Sequence, residues 1–341
     1  MDGLIIVAFA AGAGAAAWAG AGALRGVLRA RAILDHPNER SSHAAPVPRG
    51  AGIAVVGAAL VAWALAMALG FAAVIDAPVL VGALVLALVS WVDDVRGLGA
   101  PPRLAAQLAV VAFVMVAAPP GLAFQGWLPA PLDHVIVAIA WLWFVNLFNF
   151  MDGIDGITAV EAGSIGLGIV LLTALGGTTL GGAPELGPPA AIVAGAVLGF
   201  GVWNWHPAKI FLGDVGSVGL GFLLGWLLLS LAAQGQWLPA LLLPLYYLTD
   251  ATWTLLRRML RGEKFWRAHR SHFYQHAARG LGNHGAVSLR VLGCNLVLMA
   301  AALFLDGWMA LALGGVAVAL LLYNFATIKE QPSAVDGADE T

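Results

Sequence analysis

The sequence predicts an all-α polytopic membrane protein, and two observations carry that expectation. Of its 341 residues, 60% are hydrophobic and only 11% are charged, whereas a soluble globular chain carries roughly 25% charged residues. Apolar runs of about 20 residues also recur from end to end, each long enough to cross a bilayer as a helix. A transmembrane β-barrel would instead show alternating segments of about 10 residues.

Eleven apolar runs stand out, at 3–24, 51–71, 77–92, 104–118, 133–150, 158–175, 189–205, 215–233, 237–255, 287–305 and 308–327, so ten to eleven transmembrane helices are expected. The first lacks a basic segment ahead of it and reads as a span, not a cleaved signal peptide. The fourth stops at Pro119-Pro120, and Gly187-Pro188-Pro189 opens the seventh. The fifth and sixth bracket the polar stretch NLFNFMDGIDG. One integral-membrane domain over 1–328 accounts for the chain, followed by a polar, acidic tail over 329–341 that is expected to be disordered and cytoplasmic. The single cysteine, Cys294, lies in an apolar run and excludes a disulfide framework.

Charge placement sets the expected orientation. With the N-terminus outside, one face receives 25–50, 93–103, 149–157, 206–214, 256–286 and the tail. All 17 Lys and Arg fall in those segments, apart from Arg290 just inside the tenth span near the same face. The opposite face receives Asp2, Asp76, Asp133, Glu185 and Asp306. The positive-inside rule makes the basic face cytoplasmic and the N-terminus periplasmic.

On that face lie five polar motifs. SWVDDVRGLG ends the third span with adjacent carboxylates, Asp93 and Asp94. Two like charges side by side repel unless a cation or proton intervenes, and acids at a helix C-terminus oppose the dipole. NFMDGIDG places Asn149, Asp152 and Asp155 three residues apart, one face of a helical turn; the ordinary reading is an Asx-capped turn opening the sixth span. NWHPAKIFLGDVGS puts Asp214 at the start of the eighth span, where it could cap the helix and where free N–H groups beside glycines suit phosphate oxygens. GxxxxGK[ST] is absent, so this is no P-loop. DHPNERSSHAAPVPRGAGIA brings Arg40, His43 and Arg49, either an anion site or ordinary positive-inside charge. RRMLRGEKFWRAHRSHFYQHAARGLGNHG is the most basic loop and carries His269, His272, His276 and His284. His272 and His276 have metal-ligand spacing for a helix, yet the surrounding arginines favour phosphate, and a basic interfacial helix on anionic lipid is the plain alternative.

Carboxylates, a glycine-rich helix start and many Arg and His at one boundary suit Mg²⁺, with Mn²⁺ as a second choice, beside phosphates. Phosphoryl transfer between a soluble diphosphate and a lipid acceptor follows as an expectation.

The five motifs, in this order and over nearly the whole chain, resemble the polyprenyl-phosphate N-acetylhexosamine-1-phosphate transferase superfamily, glycosyltransferase family 4. The resemblance implies transfer of a sugar 1-phosphate from a UDP-N-acetylhexosamine to undecaprenyl phosphate, with release of UMP, in the bacterial inner membrane. Its partners would then be those two substrates and membrane lipids, with no nucleic acid. Carried over by motif, it makes Asp214 the Mg²⁺ ligand, with Asp93 and Asp94 the pair near metal and acceptor phosphate and Asp93 the residue that deprotonates or positions that phosphate. Asn149, Asp152 and Asp155 would lie near nucleotide and metal. Asn204 would meet the uridine diphosphate and Phe211 would stack on uracil. Arg270 and His272 would contact the sugar diphosphate, with His269, His276 and Arg49 as further binding residues. The loop reads HRSHFYQH where the peptidoglycan translocase has a histidine triplet. That departure favours the subgroup initiating surface polysaccharides such as O-antigen over a phospho-MurNAc-pentapeptide translocase, and it leaves the role of His276 open. Direct attack by the acceptor phosphate is favoured over an aspartyl intermediate, because a phosphate dianion is already nucleophilic. An ion-coupled transporter is the rival of another class, although its site would sit near the midplane between internal repeats. The spacing of Gly195 and Gly199 permits close helix packing, within a protomer or in a homodimer.

Overall fold

The computed structural model describes residues 3–35, 46–175, 183–263 and 269–329. Arg40, His43 and all of the tail but Lys329 lie outside them. The described residues form thirteen α-helices: α1 (Gly3–Ala30), α2 (Gly52–Ala68), α3 (Ala77–Arg96), α4 (Ala100–Ala117), α5 (Ala130–Phe150), α6 (Ile157–Leu175), α7 (Gly187–Asn204), α8 (Asp214–Ala233), α9 (Trp237–Leu242), α10 (Leu245–Leu260), α11 (Phe273–Leu281), α12 (His284–Phe304) and α13 (Gly307–Thr327). Nine stretches, those of α1, α3–α8, α12 and α13, are long and apolar enough to cross a membrane, and α2 is a shorter apolar helix of 17 residues. This is an all-α polytopic membrane protein.

The expected ninth span is two helices. Pro244 has no N–H to donate back to the carbonyl of Ala240, and its ring crowds that turn. The chain therefore breaks at Leu243-Pro244, and α10 starts anew at Leu245. Beyond the break α10 is two-sided. Tyr246, Tyr247, Asp250, Ala251 and Thr254 are buried, while Trp253, Leu256 and Leu260 face outward.

α8 is the axis of the bundle, buried along nearly its whole length, with α2, α3, α5 and α9 around it. Its glycines permit this. A Cβ on Gly52 would overlap the backbone nitrogen of Gly216, so the first turns of α2 and α8 touch backbone to backbone. Trp141 of α5 stacks on Phe222 with ring centroids 4.6 Å apart and donates its indole N–H to the Phe222 carbonyl at 3.0 Å. A polar group buried away from water is costly unless it finds a hydrogen-bond partner, and a bilayer offers none from solvent. Polar side chains inside the bundle accordingly pair across helices: Asn146 with Gln107 at 2.7 Å and Asn295 with Glu161 at 2.8 Å. The Gly195 and Gly199 face is spent within the chain, because Cβ atoms there would overlap the Ala10 and Gly14 carbonyls of α1.

Candidate active site

Three chain ends converge at one end of the bundle: the C-terminus of α3, the N-terminus of α8 and the segment entering α2. That segment is fastened by backbone. Phe211 N–H donates to Pro48 O at 2.8 Å, Gly50 N–H donates to Phe211 O at 3.1 Å, and Gly52 N–H donates to Leu212 O at 2.8 Å. Arg49, bridged to Phe211 in parallel register, is thereby aimed at the start of α8.

The convergence brings three carboxylates around two guanidiniums. Arg49 lies 2.9 Å from Asp94 and also pairs with Asp214. Arg103, from the first turn of α4, lies 2.7 Å from Asp93 and 3.0 Å from Asp214. Asp214 is thus shared by both arginines. Asp94 also accepts the N–H groups of Asp214 at 3.2 Å and Val215 at 3.3 Å, capping α8, where an anion meets the positive helix end. Asp93 accepts Leu98 N–H at 2.6 Å. Gly213 makes room for the Asp94 carboxylate at the start of α8. Its φ is +77°, and a Cβ there would come within 2.8 Å of Asp94 Oδ2. Burial weakens the charged form of Arg49, but Asp214, Asp94, Asp35 and Asp152 outweigh it and push its pKa up. An all-oxygen donor set of this kind is what Mg²⁺ takes, usually with one or two carboxylates and substrate phosphates completing the shell.

The turn between α5 and α6 borders this cluster. Asn149 accepts a hydrogen bond from the Ser217 hydroxyl at 2.5 Å, tying the end of α5 to the first turn of α8. Asp152 accepts from Thr158 at 2.5 Å. Burial raises its pKa to about 6 against the pull of Thr158 and Arg49, and Asp214 and Asp94 add to the rise. Asp155 turns elsewhere. It meets His206 Nδ1 at 2.7 Å, His284 Nδ1 at 3.3 Å and the N–H of Ala208 at 3.1 Å. Its burial is outweighed by the two imidazoles, which hold its pKa below the ordinary value.

α11 roofs the same turn. Tyr274 donates to the Phe150 carbonyl at 3.0 Å. Asp250 of α10 accepts the N–H groups of Phe273 at 3.1 Å and Tyr274 at 3.2 Å, so a fully buried carboxylate caps α11. His272, also buried, stacks between His269 and Tyr274 with centroids 4.9 and 5.7 Å away. Burial, then His272 and Arg258, lowers the pKa of His269 to about 4.

A family model described as "Glycosyl transferase family 4" matches residues 77–232, the stretch from α3 to α8 that holds all three carboxylates. Over that stretch the chain is similar to that family. Similar relatives are a probable undecaprenyl-phosphate N-acetylglucosaminyl 1-phosphate transferase of Bacillus subtilis and a decaprenyl-phosphate N-acetylglucosaminephosphotransferase of Mycobacterium tuberculosis. The first is 28% identical over 76% of this chain and 73% of its own length. The second is 34% identical over 55% of this chain and 51% of its own length. A phospho-N-acetylmuramoyl-pentapeptide-transferase of Deinococcus radiodurans is 32% identical over 42% of this chain and 47% of its own. The match thus spans about half the length of the last two relatives.

Within the structure the expected residues separate into groups. Asp93, Asp94, Asp214 and Arg49 meet directly, with Asp152 near enough to feel their charges. Asn149 borders them through Ser217. Asn204 is buried and spends its amide on backbone, accepting from Gly156 N–H at 2.9 Å and donating to Ile210 O at 3.1 Å; it sets the shape of two loops. Phe211 is half-buried beside Arg49. Arg270 and His276 lie on the far side of α11, in a cavity of about 470 Å³ that opens against α13. There His276 Nε2 is 2.9 Å from the Ile328 carbonyl.

Sequence reasoning did not single out Arg103, Asp250 or His206 as site residues, and it named His284 only among the histidines of the basic loop. Arg103 stood in plain sight nine residues after Asp94, but its partner Asp214 is 111 positions away. Asp250 was the most legible of the four, as an acid inside an apolar run.

Proposed function

We propose that this chain transfers an N-acetylhexosamine 1-phosphate from a UDP-sugar to undecaprenyl phosphate on the cytoplasmic face of the bacterial inner membrane. UMP is released, and the product is the first lipid-diphosphate-linked sugar of a cell-surface polysaccharide such as O-antigen. The observation that carries this reading is the cluster of Asp93, Asp94 and Asp214, bridged by Arg49 and Arg103 at the end of a membrane bundle. The names of the relatives, which speak of polyprenyl phosphates and N-acetylglucosamine phosphate, support it. So does an apolar cavity of about 730 Å³ between α5, α8 and α9, lined by Trp141, Trp143, Phe144, Trp237 and Leu241, which suits an isoprenoid tail.

The chemistry follows from the charges. An oxygen of the acceptor phosphate attacks the β-phosphorus of the UDP-sugar. The bond from that phosphorus to the bridging oxygen breaks, and UMP leaves with the electron pair. Mg²⁺, held by Asp214 with Asp93 or Asp94, would supply charge neutralisation at the diphosphate. Arg49 and Arg103 each reach two carboxylates; a metal held by those oxygens would leave their guanidiniums to phosphate oxygens, where bidentate bonds are strong. Direct attack needs no aspartyl nucleophile, because the phosphate dianion requires alignment and neutralisation only.

The test is UMP release by purified protein given undecaprenyl phosphate, Mg²⁺ and a donor panel. The panel holds UDP-GlcNAc, UDP-GalNAc, their 6-deoxy analogues and UDP-MurNAc-pentapeptide. Release that needs both lipid and Mg²⁺ establishes the reaction and names the sugar. Release from UDP-MurNAc-pentapeptide alone would replace the surface-polysaccharide assignment, and no release from any donor would overturn the transferase reading.

A further inference from the structure

Asp155, His206 and His284 come from three separate elements and meet at one point. Asp155 ends the turn between α5 and α6, His206 follows α7, and His284 is the first residue of α12. One ligand atom from each lies within 4.8 Å of the other two, the group of this kind found among the described residues. His206 Nδ1 is 2.7 Å from Asp155 Oδ2 and His284 Nδ1 is 3.3 Å from Oδ1. The rings stand 5.1 Å apart, tilted by 47°.

The position of His284 Nδ1 is the informative detail. It lies 3.4 Å from the Asp155 backbone N–H and 3.3 Å from Asp155 Oδ1. A hydrogen on Nδ1 would satisfy the carboxylate and confront the N–H. A lone pair there would satisfy the N–H and confront the carboxylate. Neither tautomer serves both neighbours. A cation on that lone pair would bridge to the carboxylate in place of the Nδ1 hydrogen.

We propose that Asp155, His206 and His284 form a site for a borderline transition-metal ion, best suited to Zn²⁺, separate from the all-carboxylate cluster. The donor set decides the metal. Two imidazole nitrogens and one carboxylate oxygen suit Zn²⁺, whereas Mg²⁺ takes oxygen ligands. Tetrahedral Zn²⁺ with bonds of about 2.0–2.1 Å places its ligands about 3.3 Å apart. His284 Nδ1 is already 3.3 Å from Asp155 Oδ1, and His206 Nδ1 is 2.7 Å from the other carboxylate oxygen, Oδ2. The side chain of His206 is 30% exposed, so it can turn to close the remaining gap and leave the fourth position to water. Ala208 N–H holds the Asp155 carboxylate at 3.1 Å, and Ser288 donates to the Asp155 carbonyl at 2.8 Å. The ion ties the turn carrying Asp152 to the loop that leads to Asp214 and to the start of α12. Its role is to fix those loops, and it does not depend on the transferase reading.

The test uses full-length, tag-free protein stripped with a chelator and held in excess Mg²⁺, so that the carboxylate cluster cannot report. Zn²⁺ is titrated against a chromophoric chelator, and X-ray absorption is measured on the loaded protein. One Zn²⁺ per chain with imidazole scattering is expected. Affinity should fall by at least about tenfold in His206→Ala and in His284→Asn. The absence of stoichiometric binding by wild type at micromolar free Zn²⁺ would overturn the site. So would a spectrum without imidazole, or wild-type affinity in both variants.

Discussion

Two charged regions sit on either side of α11, and they are built on opposite principles. The first gathers Asp93, Asp94 and Asp214 from distant parts of the chain around Arg49 and Arg103. Every charge there has an opposite partner at bonding distance. The second gathers Arg257, Arg258, Arg261, Arg270 and Arg279 from one stretch of sequence, with Glu263 the acid in its lining, 2.8 Å from Arg258. Its balance is positive. In the proposed function the first is a poised site, where a metal or phosphate would exchange partners that are already present. The second is an excess of one sign at the bundle's edge, close to the outward-facing Trp253, Leu256 and Leu260, where anionic headgroups are the natural counterions.

The sharpest way to break this contrast is at the first region. Asp214→Asn removes the carboxylate shared by both arginines, and turnover should fall by about 100-fold or more with membrane insertion intact. Comparable turnover in the variant would remove the cluster from the chemistry. Arg103→Leu should cost turnover about tenfold, yet tighten Mg²⁺ binding, because a competing cation leaves two carboxylates. Isothermal titration with Mg²⁺ checks the second half of that expectation, and weaker binding would refute it.

A third test uses stability. The pKa of Asp152 is raised to about 6 by its burial, so the folded protein takes up that proton more readily than the unfolded chain. The contribution is fully present below the unfolded value of 3.8 and is lost as pH rises through about 6. Asp152→Asn should therefore melt a few degrees above wild type at neutral pH in a chelator, with the gap closing toward about pH 4. Turnover of the same variant should be lost. A variant less stable than wild type at neutral pH would show that the ionised side chain is a structural support.

The smallest effect is expected at the second region. Arg257→Ala should change turnover in detergent by no more than about twofold. A loss matching that of Arg103→Leu would show that the two regions act as one site.

These contrasts also show what was legible in the sequence. Helix positions followed from hydrophobic length alone, because a bilayer leaves the backbone no alternative to helix along an apolar run. Pro244 in the ninth run marked its break, yet the run was read as one span because its length and apolar character were sufficient for one. The carboxylates were visible as motifs, since acids at the ends of apolar helices have few ordinary explanations. Their arginine partners were not. Arg103 and Asp214 meet only because α4 and α8 both pack near α3 and α5, a tertiary fact with no local period. Grouping by loop also misled at α11. HRSHFYQH reads as one motif, but a helix turns its residues apart: Tyr274 faces the Phe150 carbonyl while His276 and Arg279 face the basic cavity. Asp152 and Asp155 divide in the same way, one toward the carboxylates and one toward His206 and His284.

The most direct measurement follows the phosphorus itself. Membranes containing the protein are given undecaprenyl phosphate, Mg²⁺ and the UDP-sugar selected by the panel, labelled with ³²P in the β-phosphate. The account predicts label moving into the butanol-extractable lipid in step with UMP release, and no movement in Asp214→Asn. Label that stays in the aqueous phase, or moves equally in the variant, would contradict it.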